Sequence, residues 1–184
     1  FVPNVFLGLA RRPAEWRAFF AYHDALMLKE GVLSKAEREM IVVATSGAND
    51  CQYCIVAHGA ILRIYAKNPL VADQVATNYR KADITPRQRA MLDFAMKVCT
   101  NSAAIEEADF AALRAAGFEV IERHNQGAVE MRRAIREFGE KLRGKGAGLF
   151  YFAGHGVQVN GRNFLIPANA DIKYEDEIED QSVD

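Results

Sequence analysis

No uninterrupted apolar run in this chain approaches the roughly 20 residues that a membrane-spanning helix needs. Neither sign of charge dominates. Lys and Arg number 23 against 24 Asp and Glu, a net charge of −1, so nothing here invites DNA, RNA or an acidic membrane surface. Cysteine is scarce too. Three cysteines in 184 residues give no framework of structural disulfides. A four-ligand zinc site would want a second CxxC or an HxxxH, and the chain has neither. The start, Phe1-Val-Pro-Asn-Val-Phe6, has no initiator Met and no basic region ahead of it, so it reads as the interior of a longer protein rather than as a signal peptide. What is present is an ordinary soluble globular balance, 50% hydrophobic and 26% charged. The length suits one large or two small domains.

The scarce cysteines are concentrated. Cys51-Gln-Tyr-Cys54 is followed by Ile-Val-Ala-His58, and Asn49 and Asp50 ahead of it are good N-caps. A helix starting at or just before Cys51 places Cys51, Cys54 and His58 on one face. Thiols at a helix N-terminus feel its partial positive charge, which favours the thiolate. An imidazole one turn beyond Cys54 can take up or return a proton. A redox-active dithiol is the preferred reading; a zinc site and inert core thiols are the alternatives. The third cysteine, Cys99, stands alone in an apolar stretch and is expected to be a buried, small apolar residue.

Glu39 lies on the preceding helix, opened by the capping box Ser34-Lys-Ala-Glu37. Met40, Ile41, Val42 and Val43 around it are apolar. The pattern leaves Glu39 either partly buried, where a carboxylate needs a partner, or solvated on the polar face. Glu39, eleven residues, Cys51-x-x-Cys54, three residues, His58 resembles the signature of the alkylhydroperoxidase D / carboxymuconolactone decarboxylase superfamily, and its peroxidase-related branch with Tyr inside the CxxC above all. The resemblance runs from about Phe1 to Gly117. It implies a thiol peroxidase in which Cys54 attacks the hydroperoxide, Cys51 resolves it as a disulfide, and His58 with Glu39 moves the proton. The expected partners are a hydroperoxide substrate and a dithiol reductant, with no cofactor, no metal, no nucleic acid and no membrane. Relatives of this kind commonly form homo-oligomers, and a reducing cytoplasm suits the paired thiols. Tyr53 stands where the best-known members carry a second His, so their full relay is not reproduced.

Helical periodicity and caps predict helices over 13–29, 34–45, 51–66, 70–79, 85–100 and 104–116, the last ending on Gly117. His23, on the aromatic stripe of the first of these, reads as a core-edge histidine. Then the period changes. Residues 118–123 alternate like a strand, 127–142 form an amphipathic helix, 144–148 a loop and 148–153 an apolar run expected of a buried parallel strand. Val157–Ile166 contains Asn160-Gly161 and predicts a hairpin with a type I′ turn. This part, from Leu113 to Asp184, resembles the caspase-like cysteine peptidases of the metacaspase type. Phe150-Tyr-Phe-Ala-Gly-His155-Gly156 looks like the segment that carries their catalytic His. By that resemblance His155 would be a general base and the Gly156 N–H part of an oxyanion hole. No Cys follows Cys99, however, so a peptidase nucleophile would have to come from another chain. The acidic run 175–180 reads as a solvated or frayed segment.

The expected fold is therefore mostly α, in two parts. Residues 1–117 would form a helical redox domain lacking its final helices. Residues 118–184 would form a partial α/β, caspase-like sheet fragment holding the His loop without its catalytic Cys. A caspase-like peptidase, an inactive pseudo-peptidase and a chimeric fusion remain the alternatives to the peroxidase reading.

Overall fold

Capping chemistry decides where the helices of the first part begin. The computed structural model describes residues 4–143, 148 and 150–184, and its first helices are α1 (Asn4–Ala10), α2 (Pro13–Met27), α3 (Lys35–Ala48), α4 (Gln52–Ala66) and α5 (Val71–Asn78). Pro13 stands at the start of α2, where its missing N–H costs nothing. Ser34 and Glu37 close the expected capping box on α3, each side chain bonded to the other's backbone N–H at 3.2 and 2.8 Å. α3 runs three residues further than the sequence pattern suggests, taking in Ser46-Gly-Ala48. Gly47 permits this: a side chain there would come within 3.3 Å of the Ala76 carbonyl on α5.

α3, α4 and α5 pack on one another, and Val43, Leu62, Val71 and Val75, none more than 2% exposed, fill the space between them. Truncating Leu62 to Ala should cost about 2–5 kcal/mol, the transfer term plus the cavity left between three helices. Urea titration reads this as a lower midpoint at unchanged slope. Arg38 fixes α2 to the start of α3. Its buried guanidinium donates to the carbonyls of Leu26 (2.8 Å), Lys29 (2.6 Å) and Leu33 (3.1 Å), which satisfies carbonyls freed where α2 ends. Phe6, Trp16, Phe19 and Phe20 make a cluster of rings across α1 and α2. His23 edges that cluster and bonds Asp24 at 3.0 Å.

The chain divides into two compact units, and the break falls between Ile84 and Thr85. The second unit opens with α6 (Pro86–Asn101), capped by Thr85 and Gln88, then α7 (Glu107–Ala115) and α8 (Ala128–Leu142). Gly117 ends α7 in the left-handed conformation, φ 84°. Phe94 meets Phe110 at 5.7 Å, and Lys97 bonds Asp109 at 2.6 Å, joining α6 to α7. The Asn160-Gly161 hairpin forms as expected: β1 (Gly156–Val159) pairs antiparallel with β2 (Arg162–Leu165), with both turn residues at positive φ. Val183 joins Leu165 by two backbone hydrogen bonds, of 2.7 and 3.0 Å. Arg132 of α8 donates to the Ser182 carbonyl at 2.6 Å.

The fold is mostly α, as the sequence implies, with a sheet of two strands. Three local expectations are corrected. Residues 118–123 and 150–153 belong to no ladder among the described residues. A strand exists by pairing, and alternation in sequence supplies no partner. Residue 149 of that second run, and most of the loop 144–148, lie outside the described residues. Cys99 is exposed, not buried, because it falls on the solvent side of the last turns of α6. The acidic run 175–180 is solvated, with Glu175, Asp176, Glu179 and Asp180 exposed, but it is not frayed: a 3-10 turn leads into α9 (Ile178–Gln181), Ile178 is buried, and the Glu177 carboxylate accepts the Lys173 N–H at 2.7 Å. Beyond α9 the hydrogen bond from Arg162 holds the Asp184 carboxyl below its ordinary range. Among the described residues no helix is long and apolar enough to cross a membrane.

Candidate active site

α3 and α4 form a helical hairpin, and the turn between them is what presents the thiols. Asn49 returns its side-chain amide to the Thr45 carbonyl at 2.9 Å, closing the end of α3. Asp50 takes the left-handed conformation at φ 52°, which a short polar side chain tolerates. The Cys51 N–H then donates back to the Ser46 carbonyl at 3.0 Å. Cys51 is the N-cap of α4 and Cys54 lies in its first turn. The two are joined as a disulfide with Cα atoms 5.4 Å apart, and both are half-buried.

Glu39 is the buried one of its two alternatives. It is 4% exposed, and its partner is His58, whose Nδ1 lies 2.7 Å from the Glu39 Oε2. A carboxylate only accepts, so Nδ1–H of His58 donates this bond. The His58 side chain keeps 26% of its surface exposed, so the imidazole connects the buried carboxylate to the thiol-bearing surface. Tyr53, inside the CxxC, is largely exposed. Glu39, Cys51, Cys54 and His58 thus share one hairpin, and the arrangement can hold a dithiol, form its disulfide and pass a proton.

The residues set apart for peptidase chemistry lie in the second unit. His155 is exposed and its carbonyl accepts the Ile166 N–H at 2.9 Å, continuing the hairpin ladder. Gly156 begins β1 opposite Leu165. Cys99 is the one thiol in the sequence of that unit and sits on α6. Among the described residues, Glu107, Glu122 and His124 bring possible ligand atoms within 4.8 Å of one another. Arg114 already donates to both carboxylates, at 2.7 and 2.6 Å, and supplies the positive charge that the cluster calls for.

Solved structures similar to this chain include two peroxidase-related proteins. An uncharacterized peroxidase-related protein from Ralstonia eutropha JMP134, an alkylhydroperoxidase AhpD core, is 65% identical; the match covers 78% of this chain and 73% of that one with a TM-score of 0.61. A second uncharacterized peroxidase-related protein, from Silicibacter sp. TM1040, is 40% identical over 79% and 75% of the two chains, with a TM-score of 0.62. The model of the carboxymuconolactone decarboxylase family matches residues 13–95. This chain belongs to the carboxymuconolactone decarboxylase family. As a member of that family it carries its CxxC and His58 on α4, within the matched segment. The caspase domain model matches residues 101–183, which include His155 and the hairpin. A comparison with curated proteins finds no match.

Proposed function

We propose that this protein reduces hydroperoxides through a Cys51–Cys54 dithiol and disulfide cycle. The observation that carries this is the 2.7 Å bond between Glu39 and His58 on the same hairpin as the cysteine pair. In the reduced form the Cys54 thiolate attacks the O–O bond and becomes a sulfenic acid, and the alkoxide leaves as an alcohol. His58 takes the thiol proton through Nε2 and returns it to the leaving oxygen. Glu39 holds the ring and steadies its positive charge. Cys51 then displaces hydroxide from Cys54 to form the disulfide, and a dithiol reductant reopens it by exchange. The helix dipole alone favours Cys51 as the more acidic thiol, and the peroxidatic role of Cys54 rests on the resemblance to the alkylhydroperoxidase D proteins.

A reducing cytoplasm is the compartment that suits this cycle. We also place the protein in a homo-oligomer, because Phe19 and Tyr22 on α2 and Val56 and Ile64 on α4 leave large apolar surface exposed. The second unit receives no peptidase role here: His155 is a general base with no nucleophile assigned to it. The test is turnover. Reduced protein supplied with tert-butyl hydroperoxide and dithiothreitol should consume peroxide well above the rate of dithiothreitol alone. Equality with the dithiothreitol blank would remove the proposal.

A further inference from the structure

We infer that Ser46 is a positioning residue of the thiol site: its hydroxyl donates a hydrogen bond to the Cys51 sulfur when that sulfur is a thiolate. The register of the α3–α4 hairpin leads to this. Glu39 and His58 face each other across the hairpin, as their 2.7 Å bond shows. Seven residues on from Glu39 is Ser46, and seven back from His58 is Cys51. Seven residues are close to two helical turns, so each step returns to the same face. Halfway along, Val43 and Cys54 are the corresponding pair, and Val43 is fully buried. Glu39, Val43 and Ser46 therefore line one side of a seam, and His58, Cys54 and Cys51 the other. The near end is tied directly, because the Cys51 N–H bonds the Ser46 carbonyl at 3.0 Å.

Ser46 is also an unusual residue for its place. It is 8% exposed, and a buried hydroxyl normally has a use. Thr45, its neighbour, returns its own hydroxyl to the Ile41 carbonyl at 2.8 Å; no buried side-chain oxygen among the described residues is stranded, so the Ser46 hydroxyl is not an orphan, and its place in the register rather than a missing partner is what points it to Cys51. Cys51, for its part, is an N-cap whose side chain makes no capping bond in the disulfide form. Opening the disulfide leaves a Cys51 sulfur at the α4 N-terminus, across the seam from a hydroxyl able to donate. Resting on the peroxidase reading, this defines the resolving step: the Cys51 thiol gives its proton to His58, the thiolate attacks the sulfur of the Cys54 sulfenic acid, the S–S bond forms as the S–O bond breaks, and hydroxide leaves as water with that proton. Ser46 holds Cys51 as the thiolate that this attack needs.

The test uses the full chain with Cys54→Ser and Cys99→Ser, so that Cys51 is the lone thiol, and follows its alkylation by iodoacetamide against pH. The titratable groups on this side are Asp50 on the turn and Glu39 and His58 along the seam; Asp73 of α5 is engaged at 2.9 Å by Arg63 in the last turn of α4, away from Cys51, and Glu37 and Arg38 lie at the far end of α3. All remain in every variant, so a difference isolates the hydroxyl. Adding Ser46→Ala should move the midpoint upward by about one pH unit and slow labelling at neutral pH roughly tenfold. Ser46→Thr should restore the parent profile and Ser46→Val, its isostere, should not. A purely structural Ser46 would change the melting temperature and leave the midpoint where it was. Coincident profiles for Ser46→Ala and its parent, or for the Thr and Val variants, would overturn the inference. No peroxide enters this assay, so it reads Ser46 whether or not the turnover test succeeds.

Discussion

Cys54→Ser should bring peroxide consumption down to the reductant blank, a loss of roughly 10³-fold or more, because the group removed is the nucleophile itself. Cys51→Ser should behave differently. Its Cys54 can still attack the O–O bond, but no neighbouring thiol remains to displace hydroxide, so a sulfenic acid accumulates and reacts with a dimedone-type probe. The two variants are nearly identical in volume and charge, and both sulfurs are half-buried at the start of α4. A structural cause would affect them alike; only a division of labour separates them. Turnover by Cys54→Ser at the parent rate, or dimedone labelling of Cys54→Ser rather than Cys51→Ser, would reverse the assignment.

The second large effect concerns the carboxylate and the imidazole. Glu39→Gln keeps the shape of a 4% exposed side chain but removes the charge that fixes the Nδ1 proton of His58. His58→Gln removes the base. Each should slow the oxidation of Cys54 by about 10²-fold, the scale of positioned acid–base help. Since Glu39 acts through His58, the double variant should be no slower than the slower single one. Rapid-mixing measurement of the first peroxide-dependent step, with the protein reduced beforehand, gives all three rates. A double variant whose loss multiplies to about 10⁴-fold would mean that the two groups work separately.

Much of this was legible in the sequence where the signal is local. Pro13, the Ser34 and Thr85 capping boxes, Gly117 and Asn160-Gly161 each announce a backbone conformation through their own chemistry, and each forms. The spacing of Glu39, Cys51, Cys54 and His58 likewise puts them within reach on a hairpin. The sequence could not settle whether Glu39 was buried, since both faces of α3 carry apolar residues beside it; only packing against α4 decides. Ser46 was lost in the expected turn, because the added length of α3 depends on how closely Gly47 approaches α5. The strands expected at 118–123 and 148–153 failed for a related reason. Their alternation is a property of the segment, whereas a ladder is a property of two segments, and what answers residues 118–123 is a set of charges: Glu119 bonds Lys141, and Glu122 bonds Arg114. Cys99 was misjudged by its apolar neighbours in sequence, which on a helix point elsewhere.

The central claim is that Cys51 and Cys54 act as one redox pair, and the most direct measurement is a peroxide titration of the reduced chain followed by peptide mass mapping. Adding an equivalent of hydrogen peroxide should consume it, remove two hydrogens from the peptide that spans Cys51 and Cys54, and leave the Cys99 peptide unchanged until excess peroxide is present. Oxidation that falls first on Cys99, or peroxide that stays in solution while both thiols of the pair remain alkylatable, would contradict the account.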